Sequence, residues 1–311
     1  MISNTDKMRK YLTIDVGGTS IKYGVVSLNS KDEISLENLG SMPTPRDAME
    51  NLLSCYRKIY EEIGKDTLGV GISFTATLDV KDGYCFDGGL KSYTKGIKLL
   101  PLFQSVFPVP VALENDGNCG ALAEGRYGSL NDVDYAVAIN LGSGVGGGIL
   151  YKGEILRGKN STSGEFSYIY TDYATDKFSK TWASHNGRIA LGTRLAKLKG
   201  VDDMSGKEFF EYANRGDEDA LRILKEFCDF FVAMIFNLQC VYAPERISIS
   251  GGISRQPILM EYLEKSHEEF YNLNGVSLPK SEIVLSKFQN EGNLIGAFCH
   301  LKDTYPEIIN R

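Results

Sequence analysis

Two apolar runs, each doubled back through a glycine-bearing turn, constrain this chain more than anything else in it. Residues 11–15 read as a strand, Gly17-Gly18-Thr19 as a turn, and residues 21–27 as the returning strand. The pattern recurs 125 positions later, counting from Gly17 to Gly142. Tyr135–Leu141 is a strand, residues 142–148 are glycine-rich, and residues 148–151 form a second strand. Two such hairpins point to two related halves. Residues 47–64 have helical periodicity, 68–74 and 109–114 read as strands, and 118–127 as a helix. A long helix over 217–242, a strand at Arg246–Ser250 and helices over 255–271 and 293–302 complete the reading. Strands mixed with helices at this spacing indicate an α/β class.

Bulk properties exclude several roles. The 311 residues are enough for about two domains, and 42% hydrophobic with 24% charged residues is a globular balance. Lys+Arg 34 against Asp+Glu 40 gives −6, which argues against nucleic acid or an anionic membrane as the main partner. Apolar runs fall well short of the ~20 residues of a membrane helix, and Met1–Asp6 lacks the apolar core of a signal peptide. Six scattered cysteines form no C-x-x-C, so a zinc ribbon or disulfide scaffold is not expected. They read as reduced cytoplasmic thiols.

The glycine loops invite an anion. Asp15 ends its strand, and Gly17 and Gly18 then let backbone N–H groups approach oxygen-rich ligands, with Thr19 and Lys22 following. Asp15 suits hydrated Mg2+. A tight hairpin turn explains the same residues. The segment Gly142-Ser143-Gly144-Val145-Gly146-Gly147-Gly148 carries five glycines in seven residues, more than a turn needs. Its literal G-x-G-x-x-G is followed by a strand rather than a helix, which rejects a dinucleotide fold. Residues 153–159 fit G-x-x-x-x-G-K, but Asn160 stands where a hydroxyl belongs, and the fit is read as chance. Gly251-Gly252 follow a strand and precede a helix, a place for a flat ring or a phosphate.

The carboxylates cluster at strand ends. Asn115 and Asp116 lie where a strand hands over to a helix; Asp116 can take a proton from a substrate hydroxyl, or it can cap the helix. Glu165 and Tyr168 lie in a Gly/Ser-rich stretch and can grip sugar hydroxyls. The single Trp, Trp182, serves as an aromatic platform or as packing. His185, His267 and His300 stand apart and support no metal site.

Taken together, these segments resemble the ROK family of sugar kinases and repressors, within the actin/hexokinase superfamily. The resemblance rests on residues 15–22, 113–118, 142–148, Gly164-Glu165, residues 250–253 and residues 292–297, in family order along nearly the whole chain. It implies an actin-like ATPase (ribonuclease H-like) α/β fold with two domains and a central cleft. A small domain would take residues 1–117 plus 293–311, and a larger one residues 118–292. It implies transfer of the γ-phosphoryl of Mg-ATP to a sugar hydroxyl, with Asp116 as general base and Asn115 and Glu165 as sugar ligands. Asp15, Gly17, Gly18, Thr19 and Lys22 would lie near the transferring phosphate and metal, Gly142, Ser143 and Gly144 at the other phosphates, and Gly251 and Gly252 at the adenosine. Thr75 and Gly88 would line the sugar side. Cytoplasmic homodimers are the expected form, with sugar and ATP as partners.

Departures from the family pattern matter as much. Tyr168 replaces a histidine that touches sugar and zinc, and the cysteine-rich zinc motif is missing, so no zinc is expected. A zinc-less branch similar to β-glucoside kinase carries a comparable Gly-Glu-Phe-x-Tyr. Ser184 stands where a glutamate is expected, which should change the accepted sugar. A repressor needs an N-terminal DNA-binding domain, for which about ten residues before the first hairpin leave no room. A catalytically idle sugar sensor or regulator is the alternative to a kinase.

Overall fold

The structure, a computed structural model, describes residues 8–142, 144–172 and 180–309. The chain forms two compact units. One holds the residues up to Arg126, Ile155–Ser163 and the stretch from Glu291 on; the other holds Tyr127–Glu154 and Gly164–Asn290.

The first unit grows from the first hairpin. Strands β1 (Arg9–Val16) and β2 (Ser20–Leu28) run antiparallel, with Asp15 opposite Lys22. Strand β3 (Ile34–Pro43) adds antiparallel to β2. Helix α1 (Met49–Ile59), prolonged by a π-helical turn to Gly64, leads to β4 (Val70–Phe74), parallel to β1. A small hairpin, β5 (Thr77–Asp79) and β6 (Tyr84–Asp87), and helix α2 (Leu99–Gln104) lead to β7 (Val111–Asn115), parallel to β4. Helix α3 (Asp116–Tyr127) follows β7 without a break. The sheet order is β3-β2-β1-β4-β7. Strand β4 is buried along its whole length and β7 up to its last residue, so their interiors are mostly apolar, with Ser73 and Glu114 as the buried polar exceptions.

The second unit repeats the plan. Strands β8 (Tyr135–Leu141) and β9 (Val145–Tyr151) form the hairpin, with the two-residue β10 (Glu154–Ile155) at its edge. Helices α4 (Trp182–Asn186), α5 (Arg188–Lys199), α6 (Gly206–Asn214) and α7 (Glu218–Val241) come next. Strand β11 (Arg246–Ser250), helix α8 (Pro257–Asn274) and β12 (Glu282–Leu285) complete the sheet, with β11 parallel to both β8 and β12. Its order, β10-β9-β8-β11-β12, mirrors the first sheet strand for strand. The chain then returns to the first unit, where α9 (Gly292–Thr304) packs on β1, β4 and β7, and α10 (Pro306–Ile309) ends the described chain.

Several boundaries follow from local chemistry. Ser205 and Glu208 form a reciprocal capping box at the start of α6, and Asp217 caps α7. Helix α8 starts at Pro257 rather than Arg255, because proline pre-sets the first helical turn. The pair Gly251-Gly252 is therefore separated from that helix by a turn. Trp182 is fully buried between Phe166 and Phe231, so of its two readings packing holds. Among the described residues no helix is long and apolar enough to cross a membrane.

Candidate active site

In the first unit, β1, β4 and β7 are parallel neighbours, so their carboxyl ends open on one edge of the sheet. Such edges are where open α/β sheets bind ligands. The register sets Asp15, Ser73 and Glu114 in one row. Ser73 Oγ donates to Asp15 Oδ1 at 2.8 Å, and Asn293 Nδ2, from the first turn of α9, donates to the same oxygen at 3.1 Å. Burial pushes the Asp15 carboxyl above the ordinary carboxylate range, against these hydrogen bonds. Among the described residues no lysine or arginine lies within ion-pair distance of it. A buried carboxylate with acceptor capacity to spare and no paired cation fits a hydrated Mg2+.

Asp116 is the first residue of α3, yet it is not the cap. Asn115 Oδ1 accepts from Asn118 N at 3.1 Å, which satisfies one orphan amide of the helix start. Asn115 Nδ2 meanwhile donates to Ala76 O at 2.8 Å, tying β7 to the loop after β4. The Asp116 carboxylate is left half-buried. Thr75 Oγ1 donates to its Oδ2 at 2.7 Å and Gly117 N to its Oδ1 at 3.0 Å. A carboxylate has about four acceptor positions, so room remains for a substrate hydroxyl.

Two further groups surround this turn that sequence reasoning missed. Lys91 is fully buried. Its Nζ donates to Thr75 O at 3.0 Å and lies 4.7 Å from the Phe74 ring centroid. Burial lowers its pKa, opposed by the charges of Asp116, Cys85 and Asp15. Glu114, also fully buried, accepts from Asn115 N at 2.8 Å and Asn118 Nδ2 at 3.1 Å, pairs with Arg157, and has His300 Nδ1 at 3.6 Å. Arg157 comes from the stretch that fits a phosphate loop by chance. Its role there is ionic and structural. The only hint was its charge in a polar loop.

Gly17 and Gly18 form the β1–β2 turn beside Thr19, and Gly17 N donates to Ser20 O at 3.0 Å. Gly88 is buried, and a side chain there would run into Thr94 Oγ1 at 2.0 Å. Its close approach to the turn at Ser92–Thr94 accounts for the glycine without any ligand.

The second unit carries the remaining candidates. Gly142 and Gly144 lie in the β8–β9 turn, where Gly142 N donates to Gly144 O at 3.1 Å; Ser143 lies outside the described residues. A side chain on Gly142, Gly146 or Gly252 would meet nothing within 4 Å, so these backbones are open to a ligand. Gly251 adopts φ +107°, and a Cβ there would meet Leu141 O at 2.3 Å, so only glycine lets this turn close on the end of β8. Glu165 precedes a short turn, Phe166–Tyr168, whose Ser167 Oγ accepts from Val145 N and donates to Val145 O, both at 3.0 Å. Tyr168 is exposed, and the Ser184 hydroxyl donates to Thr181 O at 2.6 Å. Tyr168, Ser184 and Gly144 line one pocket of about 910 Å3. Among the described residues, no group of three or more His, Cys, Asp or Glu is gathered to hold a metal ion.

Comparison with known proteins identifies the family and the fold. The family model described as "ROK family" matches residues 11–304. A β-glucoside kinase of Listeria monocytogenes is 28% identical over 297 residues, covering 94% of this chain and 97% of that protein. An N-acetyl-D-glucosamine kinase of Photobacterium profundum is 29% identical over 317 residues, covering 94% of this chain and 99% of that protein. A Listeria monocytogenes protein of known structure superposes with a TM-score of 0.82 at 27% identity, covering 95% of this chain and 99% of that one. The fold is therefore the actin-like ATPase plan of paired α/β halves. With nearly all of its length, residues 11–304, matched by that family model, the chain belongs to the ROK family.

Proposed function

We propose that the chain is an ATP-dependent carbohydrate kinase that passes the γ-phosphoryl of Mg-ATP to the 6-hydroxyl of a hexose or β-glucoside unit, with Asp116 as general base. The sugar-kinase class rests on relatives named β-glucoside kinase, glucokinase and N-acetyl-D-glucosamine kinase. The observation that carries the assignment of the base is Asp116 itself. It is a half-buried carboxylate relieved of capping by Asn115 and held in one orientation by Thr75.

In this reading the Asp116 carboxylate takes the proton of the attacking hydroxyl. The sugar oxygen forms its bond to the γ-phosphorus as the bond to the ADP oxygen breaks, and ADP leaves. Such transfer needs positioning and charge stabilisation more than covalent help. Asn115, Glu165, Tyr168 and Ser184 bind the sugar, and Thr75 keeps the base aimed. Gly17, Gly18, Thr19, Lys22, Gly142, Gly144, Gly251 and Gly252 serve the nucleotide. Asp15 holds Mg2+ through water, and that ion neutralises phosphate charge when bound. The enzyme works without zinc, in the cytoplasm, as a homodimer.

The test is ADP release with Mg-ATP across glucose, mannose, fructose, N-acetylmannosamine, N-acetylglucosamine, cellobiose and gentiobiose. Asp116→Asn should lower kcat by about 10²–10⁴ while ATP still binds, as expected for loss of a positioned base. Turnover unchanged in that variant would reject Asp116 as the base. Folded protein without any sugar-dependent ADP release would reject the kinase.

A further inference from the structure

We propose that Lys91 is a positioning residue for phosphoryl transfer: its side-chain nitrogen fixes Thr75, and Thr75 fixes the Asp116 carboxylate. The proposal rests on the reading of Asp116 as the base. Thr75 is the first residue beyond β4. Its N donates to Val16 O at 3.1 Å, and its Oγ1 donates to Asp116 Oδ2 at 2.7 Å. Its carbonyl accepts from Lys91 Nζ at 3.0 Å and, among the described residues, takes no other hydrogen bond. Asn115 holds the next residue, Ala76, by its carbonyl. Lys91 is what holds the carbonyl of Thr75 itself.

Lys91 is in turn held on both sides. Its N donates to Gly88 O at 3.0 Å, and its O accepts from Thr94 N at 2.9 Å and Thr94 Oγ1 at 2.8 Å. In the same turn Tyr93 OH donates to Pro45 O at 2.8 Å. The preceding residue, Thr44, donates from N to Thr19 O at 3.1 Å and from Oγ1 to Gly17 O at 2.9 Å. One short turn between β6 and α2 thus braces the β1–β2 glycine hairpin through Tyr93 and the Asp116 carboxylate through Lys91.

The choice of an amine separates this role from plain packing. Lys91 has no exposed surface, and its nitrogen meets only the Thr75 carbonyl and the face of Phe74. A side chain needed merely to fill that space would be apolar, because a buried amine gives up its water for one hydrogen bond and a ring contact. The charges that act on Lys91 include those of Asp116 and Asp15, yet among the described residues it pairs with neither. Its one hydrogen bond goes to the residue that aims the base.

The experiment measures kcat and the KM for ATP and for sugar in the wild type, Asp116→Asn, Lys91→Met, Thr75→Val and the double variant of the last two, each checked for folding by urea titration. Lys91→Met should lower kcat by about tenfold or more with both KM values within about threefold, because a misaimed base slows the step without loosening either substrate. The double variant should stay within about threefold of the slower single variant, since both substitutions cut one line of contacts. Losses that multiply, kcat unchanged in Lys91→Met, or a KM rise with kcat unchanged would overturn the role and leave the kinase standing. Turnover unchanged in Asp116→Asn, or no sugar-dependent turnover in the wild type, would overturn the underlying reading and this role with it. Should Lys91→Met not fold, Lys91→Leu takes its place in the same comparison and is read the same way.

Discussion

At the residue scale, the turn that presents Asn115 and Asp116 is held from behind by a buried charge. Glu114 has no exposed surface, and its partners are two amide donors, Arg157 and, at 3.6 Å, His300. Burial lowers the His300 pKa, more than the Glu114 charge raises it, so Arg157 is the positive partner at neutral pH. Removing one member of a buried pair strands the other in low dielectric, which typically costs ~3–5 kcal/mol. Arg157 keeps 29% of its side chain exposed, so water relieves part of this, and Arg157→Ala should cost about 3 kcal/mol in urea unfolding. The double variant Glu114→Gln, Arg157→Ala should cost clearly less than the sum of the singles. Strict additivity would mean that the two side chains do not depend on each other. Asp15, Asn115 and Asp116 were legible because short motifs carry them. Glu114's partner lies 43 positions away, in a loop whose glycines and lysine imitate a different motif. Lys91 was missed for a related reason: a lysine among glycines reads as surface, and only the fold buries it.

At the level of elements, legibility followed burial periodicity. Strands Tyr135–Leu141 and Arg246–Ser250 emerge with the bounds read from sequence, since Ala136–Ile139 is a buried apolar run and Ile247 and Ile249 are buried on either side of Ser248. Strand β3 did not, because it is an edge strand, half-exposed and exposed throughout, with Asn38 at φ +54°. Nor did α5 and α6, whose helical signal lay in the polar stretch after the glycine-rich loops. Close packing of α9 is the feature of this scale that invites a test. A Cβ at Gly296 would sit 1.8 Å from Cys119 O on α3, whereas one at Gly120 would meet only Asn293 Oδ1 at 3.5 Å. Gly296→Ala should therefore force α9 and α3 apart and cost ~1–3 kcal/mol or more. Gly120→Ala should be neutral or stabilising by up to ~1 kcal/mol, because alanine loses less entropy in a helix. Chemical denaturation of the two variants side by side reads the difference. A mild Gly296→Ala would show that the helices slide without cost.

Across the whole molecule, the two sheets share one strand order, and this was visible as two glycine hairpins 125 positions apart. What the duplication does not share is its titratable content, and that content shapes the pH dependence of stability. His267 is buried on α8, its Nε2 lacks a partner, and burial lowers its pKa, helped by Lys280 and opposed by Glu268. His300 is lowered by burial in the same way. For such groups the unfolded chain takes up the proton first, near 6.5, while the folded state stays neutral. Stability is then fully present above about pH 6.5 and falls as the pH drops from there towards the folded pKa, by at most ~1.4 kcal/mol per pH unit for each residue. Asp15 acts with the opposite sign. Its raised folded pKa means the folded state holds a proton that the unfolded chain has released, so stability falls as pH rises from about 3.8 through that folded value. The readout that isolates a histidine is therefore a difference. Urea midpoints measured from pH 8 to pH 5.5 should fall more steeply for the wild type than for His267→Gln, which cannot take up the proton in either state. Parallel curves would mean that His267 accepts its proton in the folded protein as readily as in the unfolded one.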